Sequence, residues 1–346
     1  MHPFATNARS AVTPLVDLTD LCCEFPIGSP LWARLRRREP QTLRAVDHLS
    51  LQITKGSSVG VVGESGCGKS TLAKIIIGLV RPTSGVLRLG GDELPARRDR
   101  STRRRIQMVF QDPGSSLNPK MTVGAAISEM LLVHRLRTGA GIEQRCRELL
   151  DLVELPTSAY DQRPDVLSGG QRQRVAIARA LALEPDLLIA DEAVAALDVS
   201  VQASVLNLFN DLRERLGLTM LFISHDLGVV RQVTDRVVVL YLGRIVEDQP
   251  TGQLFDDPRH PYTRALLAAA PKLGSAKRPG ESALQGEVPS ALDQHSGCAF
   301  RPRCTAAEAR CEHESPQLTG PDHAHQAACH FAWPPDDSAA DDRQQQ

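Results

Sequence analysis

Nine consecutive residues, Gly63, Glu64, Ser65, Gly66, Cys67, Gly68, Lys69, Ser70 and Thr71, have the composition needed to hold a chain of phosphates. Gly63, Gly66 and Gly68 reach backbone angles closed to residues with a Cβ. Successive amides can then turn inward and, with the N-terminus of a following helix, cradle phosphate oxygens. Lys69 supplies a cation for the terminal phosphates, Ser70 a hydroxyl for Mg²⁺ and Thr71 a second hydroxyl. The plain alternative is a glycine-rich turn. Against it stand the β-branched run SVGVV before the loop and the helical pattern LAKIIIGLV after it, which predict strand, loop and helix in that order. Cys67 sits near that helix N-terminus, where a thiolate is favoured, so it is expected to react with thiol reagents and to be shielded by a bound nucleotide.

Further groups suited to the same chemistry follow. Ser168, Gly169, Gly170 and Gln171 precede the amphipathic run RQRVAIARALAL, making a second helix N-terminus prepared for an anion, or simply a helix capped by Ser168. The apolar strand pattern in PDLLIADEA ends in two acids, Asp191 suited to Mg²⁺ and Glu192 suited to polarise a water. His225 stands just past the strand TMLFIS, and Gln111 just past IQMVF, where its carboxamide can ligand a metal or orient water. A lone histidine or glutamine says little. At the ends of parallel strands they would face the crevice where ligands of open α/β sheets bind.

The elements that must position these groups read as an α/β fold. Residues 14–54 hold two β-leaning segments, PLVDLTDLCCEFP and TLRAVDHLSLQIT, joined by a basic loop. Phe25 or Trp32 could stack on a nucleotide base, with core packing as the plain reading. ARRDRSTRRR carries six arginines without interleaved aromatics and reads as a solvated face. Residues 122–154 show helical spacing interrupted by RTGAG, which predicts a helical insertion, and VVVLYLGRIVE predicts a strand running into a hairpin. The chain has 346 residues and a formal net charge of −1, so no whole-molecule field recruits nucleic acid. It shows neither an apolar run of bilayer length nor a secretory leader, so a cytosolic, thiol-reducing setting is expected.

Taken together, GESGCGKST, Gln111, LSGGQ, LLIADE, ALD and His225 resemble, in order and context, the ATP-binding subunits of ABC transporters. VFQDPGSSLNP, ALDVSVQASVLNL and HPYTRALLAAAP resemble the oligopeptide and dipeptide importer branch, and the long loop before TLRAVDHLSLQI its second paired ATPase. The resemblance implies a P-loop NTPase core of RecA-like α/β type with an N-terminal antiparallel β subdomain. A tail would cover residues 1–13, the ATPase domain 14–255 with a helical subdomain at about 113–169 and the extension 256–335, while the polar composition of PPDDSAADDRQQQ predicts a disordered tail at 336–346. It implies ATP held between the P-loop of one subunit and Ser168, Gly169, Gly170 and Gln171 of another, with Asp198 and Phe25 also on the nucleotide. Mg²⁺ falls to Ser70, Gln111 and Asp191, the general base to Glu192, and the γ-phosphate to His225. Implied partners are two transmembrane permeases, a second ATPase in a heterodimer and an extracytoplasmic solute-binding protein, at the cytoplasmic face of the membrane and without nucleic acid. The alternatives are nickel or glutathione uptake, or a soluble nucleic-acid-associated ABC ATPase. Where the branch usually has DEPVSALD this chain has DEAVAALD: Ala193 replaces a proline and Ala195 a serine, the latter removing a hydroxyl where the chain crosses between subunits.

Cys298, Cys304, Cys311 and Cys329 are spaced C-x₅-C-x₆-C-x₁₇-C, which matches neither tight zinc pairs nor ferredoxin runs. Spacing alone leaves a metal site and four reduced thiols equally open, with His323, His325 and His330 nearby. GCAFRPRC resembles the peptide-importer extension, and that resemblance implies a [4Fe–4S] cluster ahead of zinc, in a structural role remote from hydrolysis.

Overall fold

The computed structural model describes residues 13–27, 41–95, 97–112, 114, 117–269, 296–322 and 325–333. Trp32, His323, all the arginines of the loop SPLWARLRRREPQ and nearly all of both tails lie outside these residues. In chain order the strands are β1 (Val16–Ile27), β2 (Gln41–Ile53), β3 (Ser58–Val62), β4 (Ser84–Leu89), β5 (Asp92–Glu93), β6 (Ile106–Val109), β7 (Leu187–Asp191), β8 (Thr219–Ile223), β9 (Arg236–Tyr241), β10 (Arg244–Pro250), β11 (Thr319–Asp322) and β12 (His325–Ala327). The helices are α1 (Lys69–Ile76), α2 (Arg100–Arg105), α3 (Val123–Val133), α4 (Ala140–Leu152), α5 (Gly169–Leu181), α6 (Val199–Leu216), α7 (Leu227–Val233), α8 (Thr251–Asp256), α9 (Pro261–Ala269) and α10 (Arg310–His313).

Two sheets organise the chain. The larger runs β11-β12-β10-β9-β3-β8-β7-β6, and its centre, β9-β3-β8-β7-β6, is parallel. Strands β3, β7 and β8 are buried along their whole length, because elements cover both faces of the sheet; this is why they read as unbroken apolar runs instead of alternating ones. Their parallel direction brings the loop after β3, the acids ending β7 and the residues following β8 to one edge. The smaller sheet, β2-β1-β4-β5, is antiparallel, with several register shifts between β1 and β2. It shares a core with α1 and the parallel strands through Leu18, Leu49, Leu72, Ile75 and Ile189. Helices α3 to α6 pack on the other side around Ile127, Leu149, Ile177 and Phe209.

The arginine-rich run does more than face water. Arg98 is only 5% exposed, its alkyl chain lies over Gly78, and its Nη2 donates to the Ile75 carbonyl at 3.3 Å. In α2 and at its end, Arg104 donates to the Leu183 carbonyl at 3.1 Å and Arg105 pairs with Asp186. The run docks one short helix against its neighbours, which charge counting on the sequence misses because long basic side chains bury their stems.

The C-terminal region is built onto the main sheet. Strand β12 pairs antiparallel with β10, matching Glu247 to Ala327 and Asp248 to Gln326, and β11 completes the hairpin. A third core links the two: Phe300 packs against Tyr241 and Tyr262 at ring-centroid distances of 5.3 and 5.4 Å.

Candidate nucleotide site and cysteine cavity

The loop from Gly63 to Gly68 is held by backbone contacts that exclude side chains. Gly63 has φ 152°, and a Cβ there would lie 2.3 Å from the Leu240 carbonyl oxygen; Gly68 has φ 107°, and its Cβ would lie 2.1 Å from that of Ala45. Gly68 caps α1 without any side-chain hydrogen bond. The first amides of α1 therefore remain available to an anion. Lys69, 5% exposed, folds back along the loop, its Nζ donating to the carbonyls of Gly63 at 2.8 Å and Glu64 at 2.9 Å. An ammonium held by two carbonyls is positioned for incoming phosphates, which offer it a full negative charge instead of dipoles.

Ser70 Oγ donates to Asp191 Oδ1 at 3.3 Å, joining the first turn of α1 to the end of β7. Burial pushes the Asp191 carboxyl up and Glu192 adds to it, while the Ser70 hydroxyl and Lys74 and Lys69 pull it down. A buried carboxylate beside a serine hydroxyl fits Mg²⁺, whose hard charge prefers oxygen ligands. Glu192 stands at φ 49° with its amide donating to the Ile223 carbonyl at 2.9 Å, so the chain turns out of the sheet there and releases the side chain into the site. Its Oε1 lies 3.3 Å from His225 Nδ1. The structure thus brings together the loop, Ser70, Asp191, Glu192 and His225. Gln111 is exposed in the loop two residues beyond β6, and Phe25 is 37% exposed on β1, so the core-packing reading of Phe25 does not hold.

The second helix N-terminus differs in kind. Ser168 Oγ accepts from the Gln171 amide at 3.2 Å while Gln171 Oε1 accepts from the Ser168 amide at 2.9 Å, a closed capping box. Gly170 is required by close approach to α6, since a Cβ would meet Val201 Cγ1 at 2.3 Å. Asp198 caps α6 without a side-chain bond and is exposed, as is Ala195.

The thiolate expected at Cys67 is not what the packing favours. The thiol is buried, and burial pushes it up more strongly than the Lys69 ammonium pulls it down. Proximity to a helix N-terminus predicted a thiolate; desolvation by the packed loop outweighs it.

Cys298, Cys304, Cys311 and Cys329 line one cavity of about 80 Å³, together with Phe300, Arg264 and His330. Burial pushes the thiols of Cys298, Cys304 and Cys329 up. Among the described residues, the one trio whose donor atoms converge within 4.8 Å lies elsewhere, at Cys22, Asp47 and His48. The sulfurs around the cavity are therefore not gathered for a single ion. The cavity has room for several water-sized groups, which fits a polynuclear centre. At the other trio Arg244 Nε donates to Asp47 Oδ2 at 2.7 Å and Arg44 Nη1 lies 3.9 Å from Oδ1, so two guanidinium charges already oppose a cation, and we assign it no metal.

Sequence reading missed the contacts made to the P-loop by the C-terminal region. Arg303 donates from Nη1 and Nη2 to the two oxygens of Glu64 at 2.7 and 2.9 Å, and the Glu64 amide donates to Tyr262 Oη at 2.9 Å. The partners lie 239 and 198 positions apart, and no local pattern joins them.

A glycine loop, a Mg²⁺-ready serine and carboxylate, and a glutamate with a histidine at adjoining strand ends define a nucleoside-triphosphatase. Comparison with known proteins agrees. The ABC transporter family model matches residues 46–195, and the model of the oligopeptide/dipeptide transporter C-terminal region matches residues 246–311. The dipeptide transport ATP-binding protein DppF of Haemophilus influenzae is 43% identical over 90% of this chain and 95% of its own. A Brucella ovis protein provisionally named a peptide import ATP-binding protein is 48% identical over 83% and 92%. The dimeric, post-hydrolysis ATP-binding cassette MJ0796, bound to ADP and Pi, superposes with a TM-score of 0.59 and 30% identity, covering 68% of this chain and 98% of that one. The chain belongs to the ATP-binding proteins of ABC transporters, carries the oligopeptide/dipeptide-type C-terminal region, and is an ATPase. Among the described residues no helix is long and apolar enough to cross a membrane.

Proposed function

We propose that this chain energises a peptide importer as one of two paired ATPases on the cytoplasmic face of two permease subunits fed by a solute-binding protein. The observation that carries the peptide assignment is the oligopeptide/dipeptide-type C-terminal region at residues 246–311. ATP binds between the P-loop of one subunit and Ser168 to Gln171 of its partner, so nucleotide becomes part of the interface; binding closes the dimer and hydrolysis releases it. In this reading Lys69 leaves the Gly63 and Glu64 carbonyls for the phosphates. Ser70, Asp191 and Gln111 would hold Mg²⁺, which would neutralise charge on the phosphates. Glu192 takes the proton of the attacking water, and His225, whose Nδ1 lies 3.3 Å from Glu192 Oε1, contacts the γ-phosphate. Phe25, exposed on β1, stacks on the base, and Asp198, exposed at the cap of α6, also contacts the nucleotide.

The four cysteines hold a [4Fe–4S] cluster. The cavity that all four cysteines line and the resemblance of GCAFRPRC to the peptide-importer extension support this over zinc. The cluster would stabilise the C-terminal region, since its ligands span residues 298 to 329. The test is reconstitution of the chain with its permeases and binding protein in vesicles. ATP-dependent accumulation of di- and oligopeptides is expected; accumulation of nickel or glutathione without peptides overturns the peptide reading. Anaerobic protein is expected to carry iron and acid-labile sulfide in equal amounts, and stoichiometric zinc instead would refute the cluster.

A further inference from the structure

We infer that Arg303 is a positioning residue for ATP binding: through Glu64 it couples the cysteine-bearing C-terminal region directly to the P-loop. The pair has the geometry of a fixed joint. Two parallel hydrogen bonds, at 2.7 and 2.9 Å, link the guanidinium fork to both carboxylate oxygens, and the Arg303 side chain is 4% exposed. Glu64 holds the Arg303 guanidinium well above its ordinary pKa, so the charge is permanent.

Glu64 is held at its side chain by Arg303 and at its amide by Tyr262 Oη, while its carbonyl is one of the two that restrain Lys69. The residue preceding it, Gly63, supplies the other carbonyl. A displacement of Glu64 therefore moves the lysine's resting place and the first turn of the phosphate cradle together. The pairing also neutralises a carboxylate inside a loop that must accept a polyanion, and without Arg303 that charge would repel the phosphates. Arg303 itself ends the turn Arg301–Arg303, immediately before Cys304, and the same turn is anchored by Phe300 against Tyr241 and Tyr262. The cysteine cavity and the P-loop thus share a short, packed connection.

The experiment is equilibrium binding of ATP with Mg²⁺ to the full-length chain and its variants, paired with steady-state kinetics in the assembled transporter. Arg303→Met is expected to weaken ATP binding roughly 5- to 150-fold, the usual range of coupling between sites, with KM raised and kcat at saturating ATP largely kept. Arg303→Lys, which keeps the charge but loses the fork, should recover part of the affinity. The double variant Glu64→Gln/Arg303→Met should bind ATP more tightly than Arg303→Met alone, because the carboxylate left unpaired is gone. This arm tests the joint even where Arg303→Met loosens the C-terminal region, since a purely structural loss would not be relieved from the P-loop side. Affinity within twofold of wild type in Arg303→Met, or losses in the double variant that simply add, would overturn the inference. Wild-type protein that fails to bind ATP would instead count against the nucleotide site itself.

Discussion

The two helix N-termini offered to nucleotide are built in opposite ways. At α1 the capping position is Gly68, which has no side chain and cannot acquire one, because the Ala45 carbonyl occupies the space. Its amides wait for an anion. At α5 the ends are satisfied internally by Ser168 and Gln171. A phosphate arriving there must displace a side-chain oxygen that already accepts the bond. The difference teaches which end recruits and which end responds: the open terminus can bind ATP on its own, whereas the closed one gains only when a second subunit delivers phosphate with charge enough to outcompete a hydroxyl.

The sharpest break in that comparison leaves both termini intact and removes the chemistry between them. Glu192→Gln keeps shape but not basicity, so turnover is expected to fall by about 10²–10⁴ while ATP binding persists and the closed dimer accumulates. Steady-state ATPase assays and sizing with ATP would read this; near-normal turnover in the assembled transporter would remove Glu192 from its role. Next, Lys69→Ala disables the open terminus alone. Losing a buried charged partner of the phosphates costs about 2–5 kcal/mol, roughly 30-fold or more in ATP affinity. Equal affinity in an equilibrium titration would contradict the recruiting role of α1.

A control for both lies in the C-terminal region. His260 is buried, its Nδ1 accepts from the Tyr262 amide at 3.0 Å, and burial lowers its pKa from 6.5 to about 4. The unfolded chain therefore binds a proton between pH 6.5 and 4 that the folded chain refuses. Stability is full above that window and declines as pH falls through it, by about 3 kcal/mol at its lower end. Burial pushes the Glu247 carboxyl up, which acts in the opposite sense. Comparing denaturation of wild type with His260→Gln at pH 7 and pH 4 isolates the histidine; an unchanged pH slope in the variant would refute its share. The smallest effect belongs to the closed terminus. Ser168→Ala is expected to cost about 1 kcal/mol of stability through the lost cap. It should leave ATP binding to the single subunit unchanged and weaken ATP-driven dimerisation. A loss of monomer affinity instead would reverse the assignment of recruiting and responding ends.

The parts of the site that sequence disclosed are those written in consecutive residues. Gly63 to Thr71, Ser168 to Gln171 and the strand ending in Asp191 and Glu192 each combine a local backbone demand with a chemical group, so neighbours on the chain reveal both. What stayed hidden depends on packing across long separations. Cys67 looked like a thiolate because its local setting suggested one, and only the packed loop around it shows that desolvation wins. The arginines at 98, 104 and 105 looked solvated because charge is visible in sequence and carbonyl partners at 75 and 183 are not. The Arg303–Glu64 joint has no periodicity to announce it. Sequence patterns predict the α/β core and the helical insertion, yet nothing in GPDHAHQA signals that the chain returns to lengthen the central sheet.

That return governs how the protein behaves toward other copies of itself. The polypeptide backbone of β10 offers hydrogen-bonding groups on both flanks, and β12 occupies the flank opposite β9 at Glu247 and Asp248. A chain cut after Ala269 would leave that flank open along a strand whose interior residues are buried in the intact fold. Unpaired strand flanks of this kind recruit other strands, so such a fragment is expected to self-associate and lose solubility even with every ATP-binding residue present. The C-terminal hairpin therefore moves the open edge of the sheet from the long strand β10 to the four-residue strand β11, and short edges offer a poorer template for strand addition.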